Sequence, residues 1–188
     1  AVGAQNGRNS GGVRPEWRSP GRLFLLARAV VFGEPGTVPL GYFRGLLPSA
    51  PTIVEAGANS GGDTVRLAKA FRSGHVYAFE PVPALYQRLS TRVRHLSNVS
   101  CYPFALGDRV GDARIFVSSG ASDGSSSLLR PTGHLAEHPN VSFEQVVDVP
   151  VTTLDQWAQE QGVGTVDFLW LDLQGGELAA LRGASTLL

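Results

Sequence analysis

From residue 52 onward the chain repeats one pattern: a short apolar run without polar alternation, then a helix-patterned stretch, then another run. TIVEA at 52–56, VYAF at 76–79 and FLWL at 168–171 are the clearest runs. A strand with one wet face alternates apolar and polar residues, whereas a strand covered on both faces does not. Between the runs, Gly62–Phe71 sets Val65, Ala68 and Phe71 three apart, and Pro83–Leu96 puts Leu85, Leu89, Val93 and Leu96 on one face. Val99–Phe104 reads as a third strand. Strand–helix–strand units of this kind give an α/β fold with a doubly wound, mostly parallel sheet.

Between residues 105 and 165 the rhythm breaks. Arg114–Ser118 and Gln145–Val151 read as two more strands, with a Gly-, Ser- and Pro-rich stretch between them. Within it, Ser122–Ser127 is either a lid on a substrate site or a plain surface loop. Thr153–Gln161 reads as a short helix capped by Thr152 or Thr153. Ahead of the α/β region, residues 1–18 are Gly-, Asn- and Arg-rich without periodicity and read as linker. Ser19-Pro20, the run LFLLARAVVF and Gly33 predict a helix with a capping serine and a terminating glycine. Residues 34–51 carry Pro and Gly throughout and predict a turn-rich joint. The expected organisation is a linker and helical appendage over 1–50, and one α/β domain over 51–188.

Composition narrows the function classes. Charged residues make only 17% of the 188, and 43% are hydrophobic, which excludes a charge-rich disordered chain. The formal net charge is zero, so no overall field draws the chain to nucleic acid or an acidic membrane. The first fifty residues hold six Arg against two Glu, a weakly basic arm or a solvated appendage. The single cysteine, Cys101, excludes an internal disulfide and a cysteine-based metal site, and its apolar neighbours predict a buried thiol. Leu23–Phe32, broken by Arg28, is too short to span a bilayer. No signal-peptide layout is visible, so a cytoplasmic compartment is expected. Methionine is absent even at position 1, which predicts a piece of a longer protein.

Four motifs carry chemistry. EAGANSGGDT at 55–64 follows a strand and opens a helix. Gly57 and Gly61 permit a sharp turn and a close ligand, and the helix N-terminus behind them offers free N–H groups. A dinucleotide site wants a glycine where Asn59 stands, so that bare backbone meets a pyrophosphate. Asn59 crowds a pyrophosphate but can hydrogen-bond an amino-acid moiety. Glu55 at the strand end repels phosphate and suits an ammonium or a sulfonium. Glu80 closes the second strand, nineteen residues after Gly61, where a carboxylate can accept both hydroxyls of a ribose. After the third strand, Phe104, Ala105 and Leu106 offer one wall of an adenine slot. Asp108 either accepts from an exocyclic amine or only sits in the turn to the next strand. Lastly, Asp172 ends the FLWL strand at the carboxyl edge of the sheet, followed by Gln174 and a second glycine turn. Glu177 reads as a cap in the first turn of the next helix.

The segments EAGANSGGDT, VYAFEPVPALYQRL, NVSCYPFALGDRVGDARIFVSS, VPVTTLDQW and VDFLWLDLQGGELAALRGA, in this order, resemble the FkbM family of S-adenosylmethionine-dependent methyltransferases. The resemblance covers residues 52–188 and implies a Rossmann-like methyltransferase fold. It implies that Glu55, Gly57, Asn59 and Gly61 line the methionine side of S-adenosylmethionine, that Glu80 holds the ribose, and that Ala105 and Leu106 lie near the adenine. It also implies that Asp172 faces the cleft beside the transferable methyl. The implied reaction is O-methylation of a small-molecule or glycan hydroxyl, on a sugar or a natural product; the charge balance and the short apolar run, rather than the resemblance, set aside nucleic acid and, within this segment, a membrane as partner. The family more often has Asp at the position of Glu55, and an acidic or small residue at that of Gly176. It also continues into three more strands, so the C-terminal strands are expected to be absent from this chain.

An alcohol acceptor must lose a proton, and Asp172 is the candidate base or metal anchor. No diagnostic ligand set is present, so no metal is assigned. His134-Leu-Ala-Glu137-His138 fits an inverted zinc-peptidase pattern, but Gly133 and Pro139 leave no helix to present it. Asn98 and Asn140 head glycosylation sequons that say nothing without a secretory signal. Arg88, Arg92, Arg94 and His95 fall on the polar side of their helix, a solvated face. Trp157 and Trp170 sit in apolar patterns and read as core, while Trp17 is undetermined. Two rival readings stand beside methyl transfer: a nicotinamide-dependent oxidoreductase on the same sheet, which Asn59 opposes, and a non-catalytic module that retains the fold.

Overall fold

A computed structural model of the chain describes residues 24–27, 40–120, 126, 128 and 141–188. Five strands, β1 (Phe24–Ala27), β2 (Thr52–Ala56), β3 (His75–Phe79), β4 (Val99–Tyr102) and β8 (Phe168–Leu171), form one sheet. Their order is β1-β8-β2-β3-β4, and every neighbouring pair is parallel. A second sheet takes β5 (Ala105–Leu106), β6 (Gly111–Gly120) and β7 (Val141–Thr152) in the order β5-β7-β6. There β7 runs parallel to β5 and antiparallel to β6. The helices are α1 (Gly62–Ala70), α2 (Pro83–Val93), α3 (Leu154–Gln161) and α4 (Glu177–Arg182).

The missing alternation in the strands has the expected cause. Ile53, Val76, Phe168 and Trp170 pack with Leu67, Ala68 and Phe71 around α1, while Ala78 packs with Leu89 and Val93 of α2. On the opposite face, Val54, Ala56, Phe79, Leu169 and Leu171 pack with Leu154, Trp157 and Ala158 of α3 and Ala180 of α4. Both faces of the central strands β2, β3 and β8 are therefore covered, and period-two polarity has nowhere to appear there. Trp157 anchors the second face, with its ring 4.9 Å from Tyr77, 5.1 Å from Phe79 and 5.7 Å from Tyr102, all edge-on. Both Trp157 and Trp170 are core, as their patterns predict. Thr153 caps α3, accepting from the Gln156 N–H at 3.1 Å.

Several expectations change. The helix predicted after Ser19 is overturned where it is described: Phe24–Ala27 is a strand, in register with Phe168–Leu171. A short apolar run reads equally as helix or buried strand, and the open edge of β8 supplies the backbone partners that decide it. The turn-rich joint contains a 3₁₀ turn, Leu40–Gly45, whose Phe43 is buried with its ring 5.1 Å from that of Phe168. The third strand predicted over 99–104 stops at Tyr102, before Pro103, and β5 begins only at Ala105, in the other sheet; proline cannot donate to a ladder. The second helix ends at Val93 rather than Leu96. The Cys101 thiol is half-buried rather than buried, and burial first, then the nearby Glu55 carboxyl, push it up to about 11. The linker, Trp17, His134–His138, Asn140 and all of Ser122–Ser127 except Ser126 lie outside the described residues.

Candidate functional site

From β2 the chain winds outward through β3 to β4, and β8 then enters on the other side of β2. Ligands of open α/β sheets bind at such a reversal, beyond the carboxyl ends of the strands. A cleft lies there. Ala56, Gly57 and Asn59 line it from β2, Phe79, Glu80 and Pro81 from β3, and Asp172, Leu173 and Gly176 from β8. Leu85 and Phe104–Leu106 form an apolar wall, and Ile115, Ser126 and Leu128 lie over it from the second sheet and its connection.

The loop after β2 owes its shape to two contacts. The Gly57 and Ala58 N–H groups both donate to the Phe79 carbonyl at 3.0 Å, which sews the loop to the end of β3. Gly57 has φ +81, and a Cβ there would stand 2.1 Å from the Asp172 carbonyl oxygen, so only glycine fits. Asn59 also takes a left-handed conformation, φ 50, which asparagine tolerates better than most residues. Its side-chain oxygen accepts from the Ser60 N–H.

Glu80 is buried, and its two oxygens are held by backbone: Oε2 accepts from Asn59 N–H at 2.7 Å and Oε1 from Val82 N–H at 2.9 Å. Burial raises its carboxyl above the ordinary value, and the Val82 and Asn59 amides oppose that rise. A carboxylate accepts about four hydrogen bonds, so acceptor capacity remains toward the cleft. Asp172 is fixed from β2 by its own N–H, which donates to the Ala56 carbonyl at 2.9 Å. Its Oδ1 accepts from Gln174 Nε2 at 2.8 Å. Glu177 stands in the first turn of α4 as predicted, but its carboxylate holds the loop before the helix rather than capping it, with Oε1 accepting from Leu173 N–H at 2.9 Å and Oε2 from Gly175 N–H at 3.0 Å.

Gly57, Asn59, Glu80, Ala105, Leu106 and Asp172 thus converge on one cleft. Glu55, Gly61 and Asp108 do not line it. Glu55 shares the face of Ile53 and is buried. Its Oε2 and the Thr64 hydroxyl of α1 are both buried without a hydrogen-bond partner. Burial pushes the Glu55 carboxyl up to about 8; the Thr64 hydroxyl, near it but outside hydrogen-bond geometry, opposes this, and the Asp63, Glu80 and Asp172 carboxyls add to the rise. Gly61 caps α1 at φ 83, facing Leu89 of α2. Asp108 is exposed in the turn before β6, the second of the two roles open to it. The solvated face read for Arg88, Arg92, Arg94 and His95 is exposed. Sequence reasoning missed Leu85, Ile115, Leu128 and Leu173 in the cleft. Leu85 carried only the signal of a core position, Ile115 reaches the cleft from a distant sheet, and Leu128 from the connection of that sheet. Among the described residues, no helix is long and apolar enough to cross a membrane.

Comparison with known proteins adds to this geometry. The profile of the Methyltransferase FkbM domain matches residues 55–188. The 2-O-methyltransferase NoeI of Sinorhizobium fredii (strain NBRC 101917 / NGR234) is 29% identical over 143 residues, covering 73% of this chain and 59% of that protein. Methyltransferase sdnD of Sordaria araneosa is 25% identical over 159 residues, covering 73% of this chain and 61% of its own length. The chain therefore spans about three-fifths of the length of these relatives. Among solved structures, coclaurine N-methyltransferase bound to N-methylheliamine and SAH aligns over 34% of this chain and 20% of that one, at 18% identity and a TM-score of 0.30.

Proposed function

Because this chain belongs to the FkbM methyltransferase family, we propose that it binds S-adenosylmethionine in the cleft beyond β2, β3 and β8 and methylates a hydroxyl of a sugar or natural product. One observation carries the reading. Among the described residues, the only charged side chains lining the cleft are Glu80 and Asp172, both carboxylates. Such a lining disfavours a dinucleotide pyrophosphate and favours a ligand that carries an ammonium, a sulfonium and a ribose diol. The residues present fit that ligand. Glu80 would accept the ribose hydroxyls with the lone pairs that Asn59 and Val82 leave over. Phe104, Ala105, Leu106 and Leu85 would flank the adenine, and the Gly57–Asn59 backbone would border the amino-acid end. The assignment of Glu55, Gly61 and Asp108 to that ligand is not retained, since all three stand outside the cleft lining.

When bound, S-adenosylmethionine supplies a methyl group activated by a good leaving group. The chain's part is then to align the acceptor and exclude water. Orientation of reacting groups lowers such barriers by about 7–11 kcal/mol. Leu85, Ile115 and Leu128 close the apolar side of the cleft against water. Asp172, at the tip of β8, takes the proton that the acceptor hydroxyl loses, a role that typically contributes ~10²–10⁴-fold in rate. O-methylation agrees with the 2-O-methyltransferase named among the relatives.

The test is a calorimetric titration with S-adenosylhomocysteine and, separately, NAD⁺, followed by transfer of labelled methyl to a panel of mono- and oligosaccharides. Binding of the former alone, weakened at least about tenfold in Glu80→Ala, is expected, since charge-assisted hydrogen bonds are worth about 1.5–3 kcal/mol. Binding of NAD⁺ but not S-adenosylhomocysteine overturns the reading. Binding without transfer to any hydroxyl would leave the non-catalytic module.

A further inference from the structure

Only two non-glycine residues among those described have a positive φ: Asn59 at 50 and Gln174 at 51. They stand in the two loops that border the cleft, after β2 and after β8. Asn59 suits that conformation by its chemistry; Gln174 does not. Backbone held in such a region is costly and persists only where the surroundings impose it. Here the surroundings are visible. The Glu177 carboxylate grips the N–H groups of Leu173 and Gly175, on either side of Gln174. The Gly176 N–H donates to the Leu173 carbonyl at 3.1 Å and closes the turn. The effect of the turn is to send the Gln174 side chain back to Asp172, where Nε2 donates to Oδ1 at 2.8 Å.

We propose that Gln174 is a positioning residue that holds the Asp172 carboxylate in the orientation from which it takes the acceptor's proton. The inference rests on the methyltransferase reading above. In the step concerned, the acceptor O–H bond breaks and its proton passes to Asp172. The oxygen lone pair forms the new bond to the methyl carbon, and the carbon–sulfur bond breaks with its electron pair left on sulfur. The Asp172 backbone is already fixed by Ala56 and by the close approach of Gly57. What the β2 contacts do not fix is the side-chain rotamer, and the amide donor two residues along bears on it directly. Glu177 holds the loop and Gln174 holds the carboxylate, so the strain at residue 174 has a use.

Gln174→Leu removes the donor and keeps the size, and Gln174→Glu keeps the length but donates only when protonated. In Gln174→Leu, S-adenosylhomocysteine affinity is expected to stay within about threefold of wild type while kcat falls about tenfold or more. Adding Gln174→Leu to Asp172→Asn should cost little further, because both act on one group. The deficit of Gln174→Glu relative to wild type should shrink as pH falls and its carboxyl gains a proton. Crystals give a readout that needs no acceptor: Asp172 should leave its wild-type rotamer in Gln174→Leu. An unchanged rotamer, a wild-type kcat, or a Gln174→Leu loss that adds in full to that of Asp172→Asn overturns the proposal. If wild type binds no S-adenosylhomocysteine, the methyltransferase reading fails and this inference falls with it.

Discussion

Gly57→Ala separates two costs that are usually confounded. Gly57 has φ +81 and an Asp172 carbonyl oxygen 2.1 Å from the place of a Cβ; Gly162 has φ +66 and nothing within 4 Å. Alanine at either position meets the left-handed penalty of about 1–2 kcal/mol. Only at 57 does it also meet a backbone atom, and overpacking of that kind costs about 1–3 kcal/mol more. Gly57→Ala should therefore lose roughly 2–5 kcal/mol and Gly162→Ala roughly 1–2 kcal/mol. In a chain of this size, 1 kcal/mol moves Tm by about 2–4 °C. The assay is urea unfolding with the slope held in common, so that midpoints report stability alone. Because the clash pushes β8 away from β2, Gly57→Ala should also lose S-adenosylhomocysteine binding, which Gly162→Ala keeps. Equal destabilisation of the two variants, within about 0.5 kcal/mol, would refute the claim that contact between these loops sets the site.

Three further outcomes follow from charge and hydrogen bonding. Glu55 holds its proton in the folded chain up to about 8, against 4.5 when unfolded. Its contribution is thus fully favourable below about 4.5 and is lost as pH rises to about 8, at no more than about 1.4 kcal/mol per pH unit. Glu55→Gln should flatten that slope and unfold at higher urea than wild type at pH 8; an unchanged slope would place the proton elsewhere. Glu80→Gln keeps one acceptor oxygen where two backbone N–H groups need one each, so a loss of about 1–3 kcal/mol is expected, and a neutral result in urea would contradict the bonding described. Asp155 accepts from Thr186 N–H at 2.9 Å and Leu187 N–H at 2.8 Å. Slight burial pushes its carboxyl up, and those amides outweigh it, for a net lowering. Asp155→Ala should speed hydrogen exchange at Thr186 and Leu187 while that in β2 stays protected; equal protection at all three would refute the tether.

The sheet was legible because burial on both faces removes the polar half of a strand's pattern. Thr52–Ala56 and Phe168–Leu171 carry that signal in full, and both form strands at the predicted bounds. Phe24–Ala27 carries it equally, but a capping serine and a following glycine frame it as a helix. What decides between the two is the unpaired edge of β8, a partner more than 140 positions away in the sequence. The cleft was legible where a residue lies beyond its strand, as Glu80 and Asp172 do. It was not legible at Glu55, which lies within one. Strand parity puts Glu55 with Ile53, toward α1, and a motif read as a string of letters ignores parity. Ile115 and Leu128 were out of reach for another reason, since the second sheet and its connection contribute them to the cleft.

Glu55, inside its strand, and Glu80, just past the end of its own, have opposite fates, and the hydrogen bonds account for the difference. Glu80 has two backbone donors and is open to the cleft, so its charge is supported on one side and available on the other. Glu55 has an orphaned Oε2 and three carboxyls around it. An ionised, unpaired carboxylate in that position would be expensive, so the folded chain favours the neutral acid. A neutral Glu55 removes one negative charge from beneath the loop that carries Asn59. Among the described residues, the charged side chains that line the cleft are then Glu80 and Asp172. Ionising Glu55 would strengthen the attraction for a cation and at the same time weaken the fold that forms the cleft. Binding and stability are thereby set against each other in the range between 4.5 and about 8, and the buried, neutral form is the one that keeps both loops in place.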